Sequence, residues 1–273
     1  MKQRHSLREL LRRGAALAAG SVGVGLGIYP LAPQIGLAVA RKLAGRPQPP
    51  HLVRTIAAEW ACSLALQAVR PVALFGMPLG KQAQGPRPVV LLHGYLQGRA
   101  NFLLLARRLA AAGIGPLFGF EYWTLARLGR AADKLAEFVD EVRAETGTAK
   151  VDLIGHSMGG VVARAYASQT TGTVEHLITN GSPHGGSAMA GFSIGWPAVE
   201  LALGSEVLAS LAAAPAPTGV RVTCIWSRAD GLVWSHRAAV IPGADEVVYD
   251  DLGHLSLLTS RRVAREIALR LVT

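Results

Sequence analysis

Beyond residue 86 the chain alternates between short, largely apolar runs and longer segments with helical periodicity. The runs at 88–92, 114–120, 151–154, 174–179, 220–226 and 246–249 read as strands. Strands buried on both faces lose the in-out alternation of a half-exposed sheet, and helical stretches between them supply crossovers, so the pattern predicts a mostly parallel sheet of about six strands. The segment after the second run carries Leu128, Ala131, Leu135, Phe138, Val139 and Val142 at three- and four-residue steps. Asp133, Lys134, Glu137, Asp140 and Glu141 take its other face. A stripe of that kind packs on a sheet. Further helices are expected at 161–168 and 255–271.

Between Gly181 and Gly219 the alternation stops, giving way to Gly-rich turns and an apolar, helix-like stretch at 198–213. This excursion reads either as a lid, over 186–219, or as an ordinary surface segment with one packed helix. Ahead of the sheet the pattern differs again. Residues 14–40 carry no formal charge and are flanked by Arg12 and Arg13 on one side and by Arg41 and Lys42 on the other. About 20 apolar residues cross a bilayer, although Pro30 and Pro33 work against one straight helix. The segment is read as a signal anchor, a cleaved export signal or a buried or interfacial hairpin. The Arg12-Arg13 pair resembles a twin-arginine export signal and Ala38-Val39-Ala40 has the small-x-small form of a cleavage site, neither of them specific enough to decide among the three. A second apolar stretch, 60–79, holds Arg70 and reads as an amphipathic or re-entrant helix. Gly23, Gly25 and Gly27 have no preceding strand and are taken as small residues of a membrane-type helix. Gly, Pro and Gln at 81–88 mark a linker. The expected organisation is a membrane-directed helical region over 1–80 and a folded domain over 81–273.

Charge sharpens this division. Of the net +10, residues 1–50 contribute +7 and the remainder only +3. Basic side chains beside an apolar segment suit anionic lipid head groups better than a nucleic-acid backbone, so a membrane is the expected partner and nucleic acid is not. The domain would then be membrane-associated or exported, on a side that the sequence leaves open. The two cysteines, Cys62 and Cys224, form no C-x-x-C pair and read as buried thiols, with a disulfide between them left open.

The chemistry concentrates in one motif. Gly155-His156-Ser157-Met158-Gly159 follows a strand and opens a helix, where G-x-S-x-G turns the chain so sharply that the serine projects from the sheet. A serine hydroxyl needs a base to take its proton and an acid to orient that base. His254, after the last strand and before the final helix, is the candidate base. Asp230, just beyond the fifth strand, is the candidate acid, because the sites of open α/β sheets gather at the carboxyl ends of strands. Oxyanion donors are expected from the backbone N–H of Met158 and from that of Tyr95 in His93-Gly94-Tyr95. His93 is read as shaping that loop. No H-E-x-x-H or Cys/His cluster asks for a metal, and no cofactor is expected.

Together, His93-Gly94-Tyr95, Gly155-His156-Ser157-Met158-Gly159-Gly160 and Ser182-Pro183-His184-Gly185-Gly186 resemble the bacterial lipase and esterase branch of the α/β-hydrolases over residues 86–273. The resemblance implies an α/β-hydrolase fold and a serine esterase or lipase acting on acyl esters or lipids through an acyl-enzyme. It supports Tyr95 and Met158 as the oxyanion hole and makes His184 structural. Asp245, Asp250 and Asp251 do not spell the calcium loop of some relatives. A thioesterase or acyltransferase would use the same residues, and a membrane-tethered, non-catalytic binding protein on the same fold is the alternative from another class.

Overall fold

The computed structural model describes residues 28–49, 51–69, 79, 83–214 and 216–272. The expected glycines at 23, 25 and 27, the Arg12-Arg13 pair and most of 70–82 lie outside them.

Two helices, α1 (Ile28–Leu43) and α2 (Leu52–Val69), precede the sheet. The sheet then follows the expected alternation. In chain order its elements are β1 (Val89–Leu92), α3 (Leu103–Ala111), β2 (Leu117–Phe120), α4 (Leu128–Thr146), β3 (Val151–His156), α5 (Met158–Ala167) and β4 (Val174–Asn180). After an excursion with two short helices, α6 (Pro197–Glu200) and α7 (Glu206–Ala213), come β5 (Arg221–Ser227), α8 (His236–Ala239), β6 (Asp245–Tyr249), α9 (Ser256–Thr259) and α10 (Arg261–Val272). The six strands lie in the order β2-β1-β3-β4-β5-β6, every pair parallel.

Successive strand residues point to opposite faces, and both faces are covered. On one side Val90, Leu92, Leu153, Leu177, Val222 and Cys224 pack with α4 and α5. On the other Val89, Leu91, Ile154, Ile178 and Ile225 pack with α3, α9 and α10. The anticipated stripe of α4 is the buried one, and Gly147, in the left-handed conformation at φ 65°, ends that helix.

Three helical expectations change. The helix placed at 161–168 begins earlier, at Met158, because Gly159 and Gly160 form its first turn. The single helix placed at 255–271 is two. Ser260 turns extended, at ψ 131°, ending α9, and its hydroxyl accepts from the N–H of Val263 to start α10. The stretch at 198–213 is likewise divided. Gly204 takes φ 75° and Ser205 caps α7 by accepting from Leu208.

The N-terminal helices also differ from the sequence pattern. α1 accommodates Pro33 within its length. α2 has the length and composition of a membrane-crossing helix, yet its buried positions are Thr55, Glu59, Ser63 and Leu66. Its polar side thus meets the domain. Val53, Trp60 and Leu64 are among its exposed apolar residues. Cys62 and Cys224 are free thiols.

Candidate active site

The turn that carries Ser157, the candidate nucleophile, is set by β3 and α5. Ser157 sits between them at φ 57°, ψ −129°, a region that a side chain enters only under strain. Its N–H donates to the carbonyl of Asn180 at 3.0 Å, and its own carbonyl accepts from Gly160 at 3.0 Å. The flanking glycines are required by space. A Cβ on Gly155 would overlap the backbone of Gly160, and one on Gly159 would overlap the carbonyl of Leu92. The serine is thereby lifted above the carboxyl ends of the strands.

Asp230 and His254 meet on the loops after β5 and β6. The Nδ1 of His254 and the Oδ2 of Asp230 are 2.8 Å apart. Both residues are buried. The other oxygen of Asp230, Oδ1, accepts from the N–H groups of Leu232 at 2.7 Å and Val233 at 3.2 Å. A carboxylate with donors on both of its oxygens is held in a fixed orientation. Burial pushes the His254 imidazole down, but the charge of Asp230, its hydrogen bond and the charge of Glu59 outweigh that and raise it above the ordinary histidine value.

The two halves of the site are joined by His156. Its Nε2 donates to the carbonyl of His254 at 3.0 Å, and the two rings stack obliquely with centroids 4.7 Å apart. Burial and the neighbouring His254 hold His156 well below the usual histidine range, so it stays neutral and structural. Gly181, next to Asn180, closes the arrangement. A Cβ there would stand 3.2 Å from Asp230 Oδ2 and 3.4 Å from His254 Nδ1.

The expected oxyanion donors flank the serine. Met158 is the first residue of α5, so its N–H has no partner within the helix. The loop carrying Tyr95 presses on Ser157: a Cβ on Gly94 would come 2.8 Å from the Cβ of Ser157. That loop is braced from below. The N–H of Gly94 donates to Gln97 Oε1 at 2.9 Å, the Tyr122 hydroxyl donates to the carbonyl of His93 at 2.6 Å, and His93 Nε2 lies 3.1 Å from Glu121 Oε1. His93 and His184 are both buried, the latter 3.1 Å from Thr179 Oγ1.

Sequence reasoning missed several contributors. Gln97, Glu121 and Asn180 carry no local signature, since each works through a loop brought in by the fold. The phenol of Tyr95 accepts from the N–H of Ile194 at 2.8 Å and donates to its carbonyl at 3.1 Å, pinning the 186–219 excursion to the oxyanion loop. Glu59 was missed too, although one signal existed: it is the single acidic residue of a largely apolar helix. Among the described residues no group of three or more His, Cys, Asp or Glu could hold a metal ion.

Residues 87–199 match the sequence model of the family described as the alpha/beta hydrolase fold. The chain is 43% identical over 60 residues to a triacylglycerol lipase of Pseudarthrobacter phenanthrenivorans, covering 22% of this chain and 19% of that one. It is equally identical over 60 residues to a triacylglycerol lipase of Burkholderia plantarii, covering 22% and 17%. The matched stretch thus spans less than a fifth of the length of these relatives. The crystal structure of the mature Bacillus licheniformis lipase BlEst2 superposes with a TM-score of 0.57 at 20% identity, over 70% of this chain and 94% of that one, which shows the shared fold. Strand order and these likenesses together show an α/β-hydrolase fold, in a chain similar to lipases and esterases.

Proposed function

We propose that this protein is a serine esterase that hydrolyses carboxylic esters of lipid type. Ser157 is the nucleophile, His254 takes its proton and later returns it to the leaving alcohol, and Asp230 holds the imidazole in the correct tautomer. Water then attacks the acyl-enzyme with His254 again as base. The N–H groups of Met158 and Tyr95 receive the oxyanion; one such donor is worth about a hundredfold to a thousandfold in rate. The observation that supports this reading above all is the buried 2.8 Å contact between Asp230 and His254, held by His156 against the turn that bears Ser157.

The lipid-like substrate and the membrane belong to the same reading. Residues 1–80 serve as the membrane-directed region and 81–273 as the catalytic unit, with 186–219 as the lid over the site. Supporting this, the excursion exposes Phe192, Ile194, Trp196, Val199 and Leu203. The N-terminal helices expose Ile35, Val39 and Leu43 on α1 and Val53, Trp60 and Leu64 on α2, beside the exposed cations Lys42, Arg46 and Arg54. The relatives named triacylglycerol lipase are named for a lipid ester, which agrees with such surfaces. Hydrolysis rates over an acyl chain-length series test the substrate class. Rising kcat/KM with chain length supports a lipid substrate; a preference for short, soluble esters rejects it.

A further inference from the structure

Helix α2 grips the segment that carries His254. The Thr55 hydroxyl donates to the carbonyl of Asp251 at 3.2 Å, and the Cys62 thiol lies 3.1 Å from Thr259 Oγ1. Between them in sequence stands Glu59, a carboxylate only 1% exposed. Its Oε2 accepts from the N–H of Leu255 at 2.9 Å, and its Oε1 accepts from both the N–H and the hydroxyl of Ser256 at 2.6 Å each. These are the two residues directly after His254. Gly253, directly before it, has no room for a side chain, because a Cβ there would overlap Glu59.

The adjoining loop is held in the same way from the same region. Helix α1 lies over Gly231, where a Cβ would stand 2.7 Å from the carbonyl carbon of Pro33, and Arg41 donates to the carbonyl of Arg228 at 3.4 Å. Both loops that supply the charge-relay side chains therefore rest on helices that precede the sheet in sequence. Neither helix falls within the stretch, 87–199, that matches the hydrolase family.

From this geometry we infer that Glu59 is a positioning residue for His254, fixing the backbone on both sides of the imidazole so that the ring meets Ser157 and Asp230. The inference rests on the hydrolase reading above. Burying a carboxylate is costly unless donors surround it, and here three converge on its two oxygens from one short segment. The carboxylate is thus spent on holding that segment still. Burial raises the Glu59 carboxyl above its usual range, against the pull of the three donors; when ionised it places a negative charge near an imidazole that becomes cationic during acyl transfer. The titratable groups facing His254 are Asp230 from beyond β5, His156 from the end of β3, and Glu59 from α2.

The test uses the full chain with Glu59→Gln and Glu59→Asp, measuring kcat and KM for ester hydrolysis, the acid limb of the pH profile and the melting temperature. A misplaced imidazole costs about a hundredfold in turnover. Glu59→Gln is expected to lose kcat on that scale with KM little changed. Its acid limb should move to lower pH, because a charge that favours the imidazolium has gone. Glu59→Asp keeps the charge and should retain the acid limb while losing part of kcat. If Glu59→Gln does not fold, Glu59→Asp carries the test. Unchanged kcat and an unchanged acid limb in folded variants would overturn the inference. Failure of the hydrolase reading looks different: the unaltered chain would itself neither hydrolyse esters nor react with a fluorophosphonate.

Discussion

His254 and Asp230, 24 residues apart in the chain, share a buried contact of 2.8 Å between Nδ1 and Oδ2. With Nδ1 engaged, the imidazole is left with Nε2 as its free face, the arrangement that a base for Ser157 requires. Asp230 in turn is fixed by the N–H groups of Leu232 and Val233. The orientation of the His254 imidazole is therefore set by the turn after β5.

Asp230→Asn keeps the shape of the side chain but offers an amide where the imidazole needs an acceptor. The expected loss in kcat is on the order of ten-thousandfold with little change in KM. Steady-state kinetics on folded protein check it, and a loss below about tenfold would deny Asp230 its orienting role.

The raised pKa of His254 has opposite consequences for turnover and for stability. The neutral imidazole is the base, so kcat/KM is expected to fall as the pH drops through a value above the ordinary 6.5. The charged imidazole favours the folded chain. Its contribution is full below the unfolded value of about 6.5 and disappears as the pH rises through the folded one. Melting temperature measured against pH should thus decline across the window in which activity rises, and this decline should be smaller in Asp230→Asn. Equal pH profiles of stability in both proteins would contradict the assignment.

Gly155 tests the nucleophile turn without touching a reacting group. A methyl at this position overlaps the backbone of Gly160, and two pieces of main chain cannot yield as a flexible side chain would. Gly155→Ala is expected to destabilise the fold by about 3 kcal/mol, read from urea unfolding. A change within about 0.5 kcal/mol would mean that β3 and α5 lie farther apart than described.

The exposed faces of α1 and α2 give a measurable membrane prediction. Basic residues near an anionic surface contribute about 1 kcal/mol each, so Lys42→Gln combined with Arg46→Gln should weaken binding to phosphatidylserine vesicles about thirtyfold. Leu43→Glu with Val53→Glu should weaken it further at unchanged ester hydrolysis in solution. Sedimentation with vesicles decides; equal binding by all variants would remove the lipid surface from the account.

The sheet was legible in the sequence because its strands are buried on both faces and leave apolar runs that end where the backbone turns. The observed β3 is longer than its apolar run by Gly155 and His156, which join the sheet for the sake of the serine turn rather than for burial. Ser157, Asp230 and His254 could be nominated from the sequence because each stands just past the carboxyl end of a strand, and the structure keeps them there. The role of α2 was not legible. The apolar residues from 60 onward suggested an amphipathic or re-entrant helix, whereas the helix begins at Leu52 and the domain receives its polar side. The partners of Glu59 lie 196 and 197 residues away, at Leu255 and Ser256, and no local pattern encodes a contact of that span. The broken helices at Gly204 and Ser260 follow from single residues whose backbone choice a smooth apolar periodicity conceals.

The most direct test of the central claim is covalent labelling by a fluorophosphonate, which reacts only with a serine whose proton is taken by a neighbouring base. The account expects one label per chain at Ser157, abolished in Ser157→Ala and strongly slowed in a folded His254→Ala. Labelling that persists in Ser157→Ala, or a well-folded native protein that takes no label, would contradict it.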